Sequence, residues 1–300
     1  MFVIAGATGN TGGVAAGALL AKGKPVTVLV RQPQQAEGWR RKGARAEVVS
    51  LEDARAVAKA LEGAEGAYLL IPPNMKAEDP LAYGFRVGDT LAEAVKASGV
   101  PHVVLLSSIG AQHAEGTGPI RSLHHAELAL AAAARNATFL RAGYFLQNWA
   151  GGLAAVRSQG VLHNFLTPDS KMPMISTSDI GAIAARSLLD PARGRRVWEL
   201  AGPEEYSPRD IASAFAEALG SPVKLETHPT EGAVPILISM GFPEGLARLY
   251  REMVEGINSG HVAYEGKDAT LVRGAVTAAE CIRTILAEAS AAERSGGARA

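Results

Sequence analysis

Residues 2–13 read Phe-Val-Ile-Ala-Gly-Ala-Thr-Gly-Asn-Thr-Gly-Gly, a short apolar run that passes directly into glycines at positions 6, 9 and 12. A strand, a glycine turn and a helix in that order are the fingerprint of a dinucleotide site. Gly6 permits the tight turn off the strand, Gly9 lets the backbone approach a pyrophosphate, and Gly12 lets the next helix pack close. The amides at that helix N-terminus then face the phosphate charge. Asn10 and Thr11 are placed to reach the pyrophosphate or the nicotinamide ribose, and Thr8 joins the same cofactor-facing turn.

Outward from this loop, β-branched runs alternate with longer helical patterns up to about residue 142. The spacing predicts strands near 2–5, 25–30, 45–49, 66–71, 101–106 and 137–141, with helices near 12–22, 34–43, 53–62, 80–98 and 121–134. Such alternation marks right-handed βαβ units and a parallel sheet. Asp79 before Pro80 supplies a cap followed by a proline suited to a first helical turn. Beyond 142 the alternation loosens: 145–158 reads as helix, 161–176 as loop and short strand, 179–189 as helix, and 195–201 as strand. Ser207-Pro208 starts another helix, 222–228 reads as strand, 229–259 as two helices broken at Gly241-Phe242-Pro243, and 277–289 as a last helix. The fold class is therefore α/β: a Rossmann-type doubly wound parallel sheet with a smaller mixed α/β substrate-covering part. The sheet domain is assigned to 1–142 plus 176–202, the covering part to 145–175 and 203–290, and a flexible tail to 291–300.

With 47% hydrophobic and 20% charged residues over 300 positions, the chain can bury a sizeable core. Thirty basic residues balance thirty acidic ones, which leaves no electrostatic footprint for direct nucleic-acid or anionic-membrane binding. A small-molecule partner is expected instead. The single Cys281 sits in an Ala-rich helical pattern and reads as a structural thiol of a cytoplasmic protein. Met1 is followed at once by the first strand, and no run of ~18 apolar residues appears, so no membrane association is expected. The absence of a Gly-x-Ser-x-Gly elbow, a Walker loop or a CxxC pair removes hydrolase, nucleotide triphosphatase and zinc readings together.

The second strand decides the nucleotide. An NAD site places an acidic residue there for the ribose hydroxyls, but this chain reads Val28-Leu29-Val30-Arg31-Gln32. No carboxylate repels a 2′-phosphate, and the Arg31 guanidinium matches phosphate geometry. NADPH is therefore expected rather than NADH. The competing reading is that Arg31 merely solvates a strand end. Ile71-Pro72-Pro73-Asn74, after the fourth strand, is expected to line the adenine-to-ribose side with few amide donors.

With GATGNTGG, Arg31, LLSSIGA at 105–111, LRAGYFLQNW at 140–149 and STSDIGAIAARSLL at 176–189, the chain resembles the NmrA-like family of atypical short-chain dehydrogenase/reductases. The resemblance covers nearly the whole chain. It implies NAD(P)H binding on a Rossmann domain, in proteins that are either reductases of quinones, azo compounds and related electrophiles or non-catalytic redox-sensing regulators. It also implies that Gly143 and Tyr144 lie against the cofactor, while Phe145, Asn148 and Trp149 lie near the substrate; Trp149 reads equally as a core wedge. One departure is Ser50, where relatives often carry an aspartate for the adenine amine.

Ordinary short-chain dehydrogenases pair a tyrosine with a lysine four residues later, which lowers the phenol pKa for proton transfer. None of the six tyrosines here has that partner; Tyr144, for example, is followed four residues later by Asn148. Alcohol dehydrogenation and sugar-nucleotide epimerisation lose their acid/base pair. Hydride transfer to an electron-poor acceptor survives, because the cofactor carries that step. Tyr144, His124 and His125 are the candidate proton donors; the two histidines lie about 100° apart on a helix, so at most one faces the cleft. A metal reading of His124, His125 and Glu127 fails on ligand spacing, and no metal is expected. Of the adjacent hydroxyls at the end of the fifth strand, Ser107 is assigned to the cofactor and Ser108 to the substrate, with one of the two expected instead to cap the turn. The leading expectation is an NADPH-dependent oxidoreductase acting on an electrophilic small molecule, as monomer or homodimer. The alternative is a non-catalytic NADP(H)-sensing regulatory protein.

Overall fold

The computed structural model describes residues 1–191 and 193–297. The chain begins with six strands, β1 (Phe2–Ile4), β2 (Val26–Val30), β3 (Arg45–Val48), β4 (Gly66–Leu69), β5 (Val103–Ser108) and β6 (Ala137–Ala142). Between them lie α1 (Asn10–Ala21), α2 (Pro33–Arg41), α3 (Ala54–Leu61), α4 (Pro80–Ser98) and α5 (Arg121–Ala133). Next come β7 (Tyr144–Phe145), a 3-10 stretch Leu146–Gly152, α6 (Leu153–Gln159), β8 (Val161–Asn164), β9 (Met172–Ile175), α7 (Thr177–Leu189) and β10 (Arg195–Ala201). The remainder is β11 (Glu205–Tyr206), α8 (Pro208–Leu219), β12 (Lys224–Thr227), α9 (Ala233–Ser239), α10 (Glu244–Asn258), β13 (Thr270–Arg273) and α11 (Ala278–Gly297).

Eight strands form one sheet in the order β13-β10-β6-β5-β4-β1-β2-β3, every neighbouring pair being parallel. The chain winds outward from β1 to β3, then returns to the other side of β1 with β4 and winds the opposite way. That reversal opens a crevice at the carboxyl ends of β1 and β4, the place where open α/β sheets take their ligands. Both faces of the sheet are covered, which is why β2 and β4 are buried throughout instead of alternating. On one face α1 and α7 seal the strands through Ala15, Leu19, Ile180 and Ile183. On the other, α3, α4 and α5 do so through Leu61, Leu91 and Leu130. Each such leucine or isoleucine contributes roughly 1.5–3 kcal/mol by leaving water.

The α1–α7 contact depends on the glycine of the Ser-Asp-Ile-Gly motif. A Cβ on Gly181 would lie 2.5 Å from the Val14 Cβ and 2.6 Å from the Thr11 carbonyl oxygen, so any side chain there would push α7 off the helix that carries the glycine loop. Asp79 caps α4, accepting from the amides of Leu81 and Ala82, as its place before Pro80 suggests. Ser176 caps α7 by accepting from Asp179 N, so that helix starts slightly before the expected 179.

A second hydrophobic cluster joins Leu146, Trp149, Leu162, Met174, Phe215 and Ile282. Around it lie a three-stranded sheet β11-β9-β7 and the parallel pair β12-β8. Three expectations change here. Residues 145–158 are not one helix: β7 and a 3-10 stretch precede α6, where Gly151-Gly152 weaken helix propensity and the Gln147 side chain is drawn off to accept from Thr177 N. Thr270–Arg273, within the span expected in the covering part, adds β13 to the large sheet instead. The expected tail does not begin at 291, because α11 continues to Gly297 with Arg157 bonded to Ser290 and Glu293; residues 298–300 lie outside the described residues. Among the described residues no helix is long and apolar enough to cross a membrane.

Candidate active site

The glycine loop leaves β1 at Gly6, whose φ of +64° lies in the left-handed region. At Gly12 the constraint is space: a Cβ would fall 2.5 Å from the Gly6 carbonyl oxygen and 2.6 Å from that of Ala5. Helix α1 can therefore start directly on the strand end. Its N-cap is Gly9, which brings no capping side chain, and the amides of Asn10, Thr11 and Gly12 have no acceptor among the described residues. Free amides at a helix N-terminus, beside the exposed Thr8, Gly9 and Asn10, form a cradle for an anion. Thr11 departs from expectation in its side chain. That hydroxyl is buried and accepts from the Tyr68 hydroxyl at 2.9 Å, fastening the loop to β4.

Arg31 lies exposed at the carboxyl end of β2, with no hydrogen bond or ion pair among the described residues. An unpaired guanidinium one strand from the amide cradle fits a dinucleotide carrying a 2′-phosphate. Ser50 accepts from Glu52 N at 3.2 Å and so holds its own turn.

Beside the switch point a cavity of about 450 Å³ opens. Its walls come from the ends of β4, β5 and β6: Ile71 and Pro72, Ser107 and Ser108, then Gly143, Tyr144, Phe145 and Asn148. The expected cofactor and substrate residues from three separate stretches thus meet in one space. A Cβ on Gly143 would lie 2.5 Å from the Pro173 carbonyl oxygen, so the turn into β7 runs hard against the strand beside it. Burial, reinforced by the nearby Tyr250 and only partly offset by a hydrogen bond to Asn148, pushes the Tyr144 phenol up to about 12. It therefore stays protonated and remains a donor. Trp149 is buried with its ring 5.8 Å from that of Tyr144, the core wedge of the two readings.

Behind this wall lies a charged network. Arg141 on β6 is buried and forks onto Glu127 of α5, with Nε 2.9 Å from Oε1 and Nη2 2.6 Å from Oε2, while Nη1 contacts the Glu265 carboxylate. Burial alone would lower the guanidinium pKa, but the two carboxylates outweigh it and raise the pKa. The Ser107 hydroxyl donates to Glu127 Oε1 at 2.6 Å. Ser107 therefore lines the cavity with its proton already committed, and presents only lone pairs to a ligand. Ser108 donates to the Ile109 carbonyl at 2.9 Å, taking the turn role.

The structure corrects the histidines. His125 turns away from the cavity to meet Asp89 at 2.7 Å and the Phe85 ring, and His124 Nδ1 pairs with the Ala111 carbonyl at 2.8 Å. Neither lines the cavity; Ser122 and Leu123, the two residues just before them on α5, do. The sequence reading also misses the far wall, built from Leu246, Leu249, Tyr250 and Met253 of α10. Their i, i+3, i+4, i+7 spacing is the available signal, but it is shared with any core-facing helix.

A doubly wound parallel sheet with an amide cradle at its switch point and a cavity beside it defines a dinucleotide-binding α/β protein of the Rossmann type. The chain belongs to the NmrA-like family, whose profile matches residues 1–289. It is 26% identical over 255 residues to an NAD(P)H azoreductase of Xenophilus azovorans, covering 84% of this chain and 86% of that one. It is 25% identical over 279 residues to quinone oxidoreductase 2 of Escherichia coli K12, covering 91% and 94%. Among solved structures, the NADPH complex of an NADPH-dependent quinone oxidoreductase from Escherichia coli superposes with a TM-score of 0.79 at 24% identity, over 95% of this chain and all of that one. The NADP(H) complex of a Citrobacter triphenylmethane reductase gives 0.80 at 19%, with the same coverage.

Proposed function

We propose that the protein is an NADPH-dependent reductase that delivers hydride to a small, uncharged, electron-poor molecule such as a quinone or a neutral azo compound. The observation that carries this reading is the cavity beside the switch point: among the described residues no carboxylate, ammonium, guanidinium or imidazole lines it. Leaving a charged substrate unpaired there would cost its full desolvation. The azoreductase and quinone oxidoreductase relatives support the same class.

In this reading Asn10 to Gly12 hold the pyrophosphate on backbone amides, Arg31 takes the 2′-phosphate, and Ile71 and Pro72 wall the ribose side. Ser107 and Gly143 border the nicotinamide, with Ser107 offering an acceptor to a carboxamide N–H. Residues 145–175 and 203–290, apart from β13, act as the substrate-binding part. NADPH, when bound, supplies the hydride. Tyr144 and Asn148 orient the acceptor carbonyl, and the Tyr144 phenol donates a hydrogen bond to the oxygen on which charge develops. Its high pKa makes it a weak acid, so the proton that completes reduction arrives from water through Tyr144 or directly. The apolar α10 wall excludes bulk water from the reacting centre.

Steady-state NADPH oxidation tests this with pairs of quinones and azo compounds that differ only in a sulfonate. Turnover is expected with the neutral member of each pair and a much higher KM with the sulfonated one. Tight NADPH binding without turnover above background on any acceptor would leave the NADP(H)-sensing regulator as the better reading.

A further inference from the structure

Strands β8 and β12 pair in parallel with His163 opposite Glu226, and that register gathers three ligand-type side chains outside the substrate cavity. His163 Nδ1 lies 2.9 Å from His228 Nε2. Glu226 Oε1 lies 3.9 Å from the same Nε2, while its Oε2 faces Lys224 Nζ at 3.5 Å. The carboxylate oxygen turned toward the imidazoles is therefore the one the lysine leaves alone. The backbone beneath is tied down: His228 N donates to the Asn164 carbonyl at 2.8 Å, and Asn164 Nδ2 donates to Thr227 Oγ1 at 3.0 Å. The Phe165 ring packs beside His228, 5.9 Å between centroids. His163 is exposed and the other two are half-buried, so an ion has an open approach.

We infer that His163, Glu226 and His228 form a binding site for a first-row divalent cation of the zinc, nickel or copper kind. Two imidazoles and one carboxylate are the donor set these borderline ions prefer, whereas magnesium and calcium take oxygen ligands. Two nitrogens each ~2.05 Å from a shared ion stand about 2.9 Å apart at the right angle of an octahedral or square-planar nickel or copper site, and about 3.3 Å apart at the tetrahedral angle of zinc, which the two imidazoles reach by opening slightly. The histidines stand at the right-angle separation, and the Glu226 oxygen, 3.9 Å from His228 Nε2, comes to the same spacing by closing in about 1 Å. Lacking a cation, the pair is satisfied only when one ring donates and the other accepts. With one bound, β8 and β12 are joined by a bridge between residues 65 apart in sequence, with water completing the coordination on the exposed side.

Titration calorimetry on the full chain with nickel chloride and zinc chloride, and magnesium chloride as control, tests the site. One equivalent of nickel or zinc is expected to bind and raise the Tm, with no magnesium heat. His163→Gln and His228→Gln each should weaken that binding by at least ~10-fold and abolish the Tm rise. Both positions are accessible, so the Tm of each variant without metal should match the parent, which separates ligand loss from misfolding. Absence of a stoichiometric site in the parent, or parental affinity retained in both variants, overturns the assignment.

Discussion

At the residue scale, two arginines with opposite surroundings make opposite predictions. Arg31 is exposed and unpaired, so its removal should leave stability alone and act on the ligand. Arg31→Ala is expected to weaken NADPH about 10- to 100-fold, the equivalent of losing ~1.5–3 kcal/mol of charge-assisted hydrogen bonding. Fluorescence titration should show NADH binding nearly unchanged. Arg141 is buried and paired twice, and Glu127→Ala leaves that guanidinium with Glu265 alone. Removal of one member of a buried pair costs about 3–5 kcal/mol, which urea unfolding should register. Loss of the Ser107 acceptor position should raise the NADPH Kd as well. The turn at Gly6, the close approach at Gly12 and the position of Arg31 at the end of β2 are legible in the sequence because they follow from backbone geometry and strand ends. The partners of the Thr11 and Ser107 hydroxyls are not legible there, because Tyr68 and Glu127 are brought near only by the fold.

At the scale of elements, the sheet strands and α1 to α5 are legible because burial on both faces of a parallel sheet and capped amphipathic helices leave strong periodic signals. Helix α10 shows where that legibility stops. Its apolar stripe is plain in the sequence, but whether Leu249, Tyr250 and Met253 face a core or a cavity depends on where α10 sits against α5 and β7. The cavity predicts a division of labour between walls. Tyr250→Ala and Met253→Ala are expected to raise the KM for a neutral quinone several-fold while leaving the NADPH Kd within a factor of about two, since α10 lines the cavity and the glycine loop does not. Equal changes in both constants would mean that α10 shapes the cofactor site instead. The expected α5 histidines fail for a related reason: Asp89 on α4 and the Ala111 carbonyl offer them better partners than the cavity does.

For the whole molecule, acid sensitivity has an identifiable source in the sheet. His102 is buried before β5, with Nε2 3.1 Å from Thr138 Oγ1, and Nδ1 has no partner among the described residues. Burial, helped by Arg196 and opposed by Asp190, pushes its pKa from 6.5 down to about 4. Between those values the unfolded chain takes up a proton that the folded chain refuses. The stabilisation is complete above pH 6.5 and is lost as pH falls toward 4, by up to ~3 kcal/mol. Urea unfolding at pH 7 and pH 5 should show the decline, and His102→Gln should flatten it. The last strand of the sheet has a different consequence. Because β13 lies about 70 residues after β10 in the chain, β10 remains an open edge until that segment is laid down, with unpaired amides and carbonyls beside Trp198 and Leu200. Such an edge is a template for pairing with another chain. Truncation before Thr270 should therefore show itself first as aggregation, and only afterwards as lost activity.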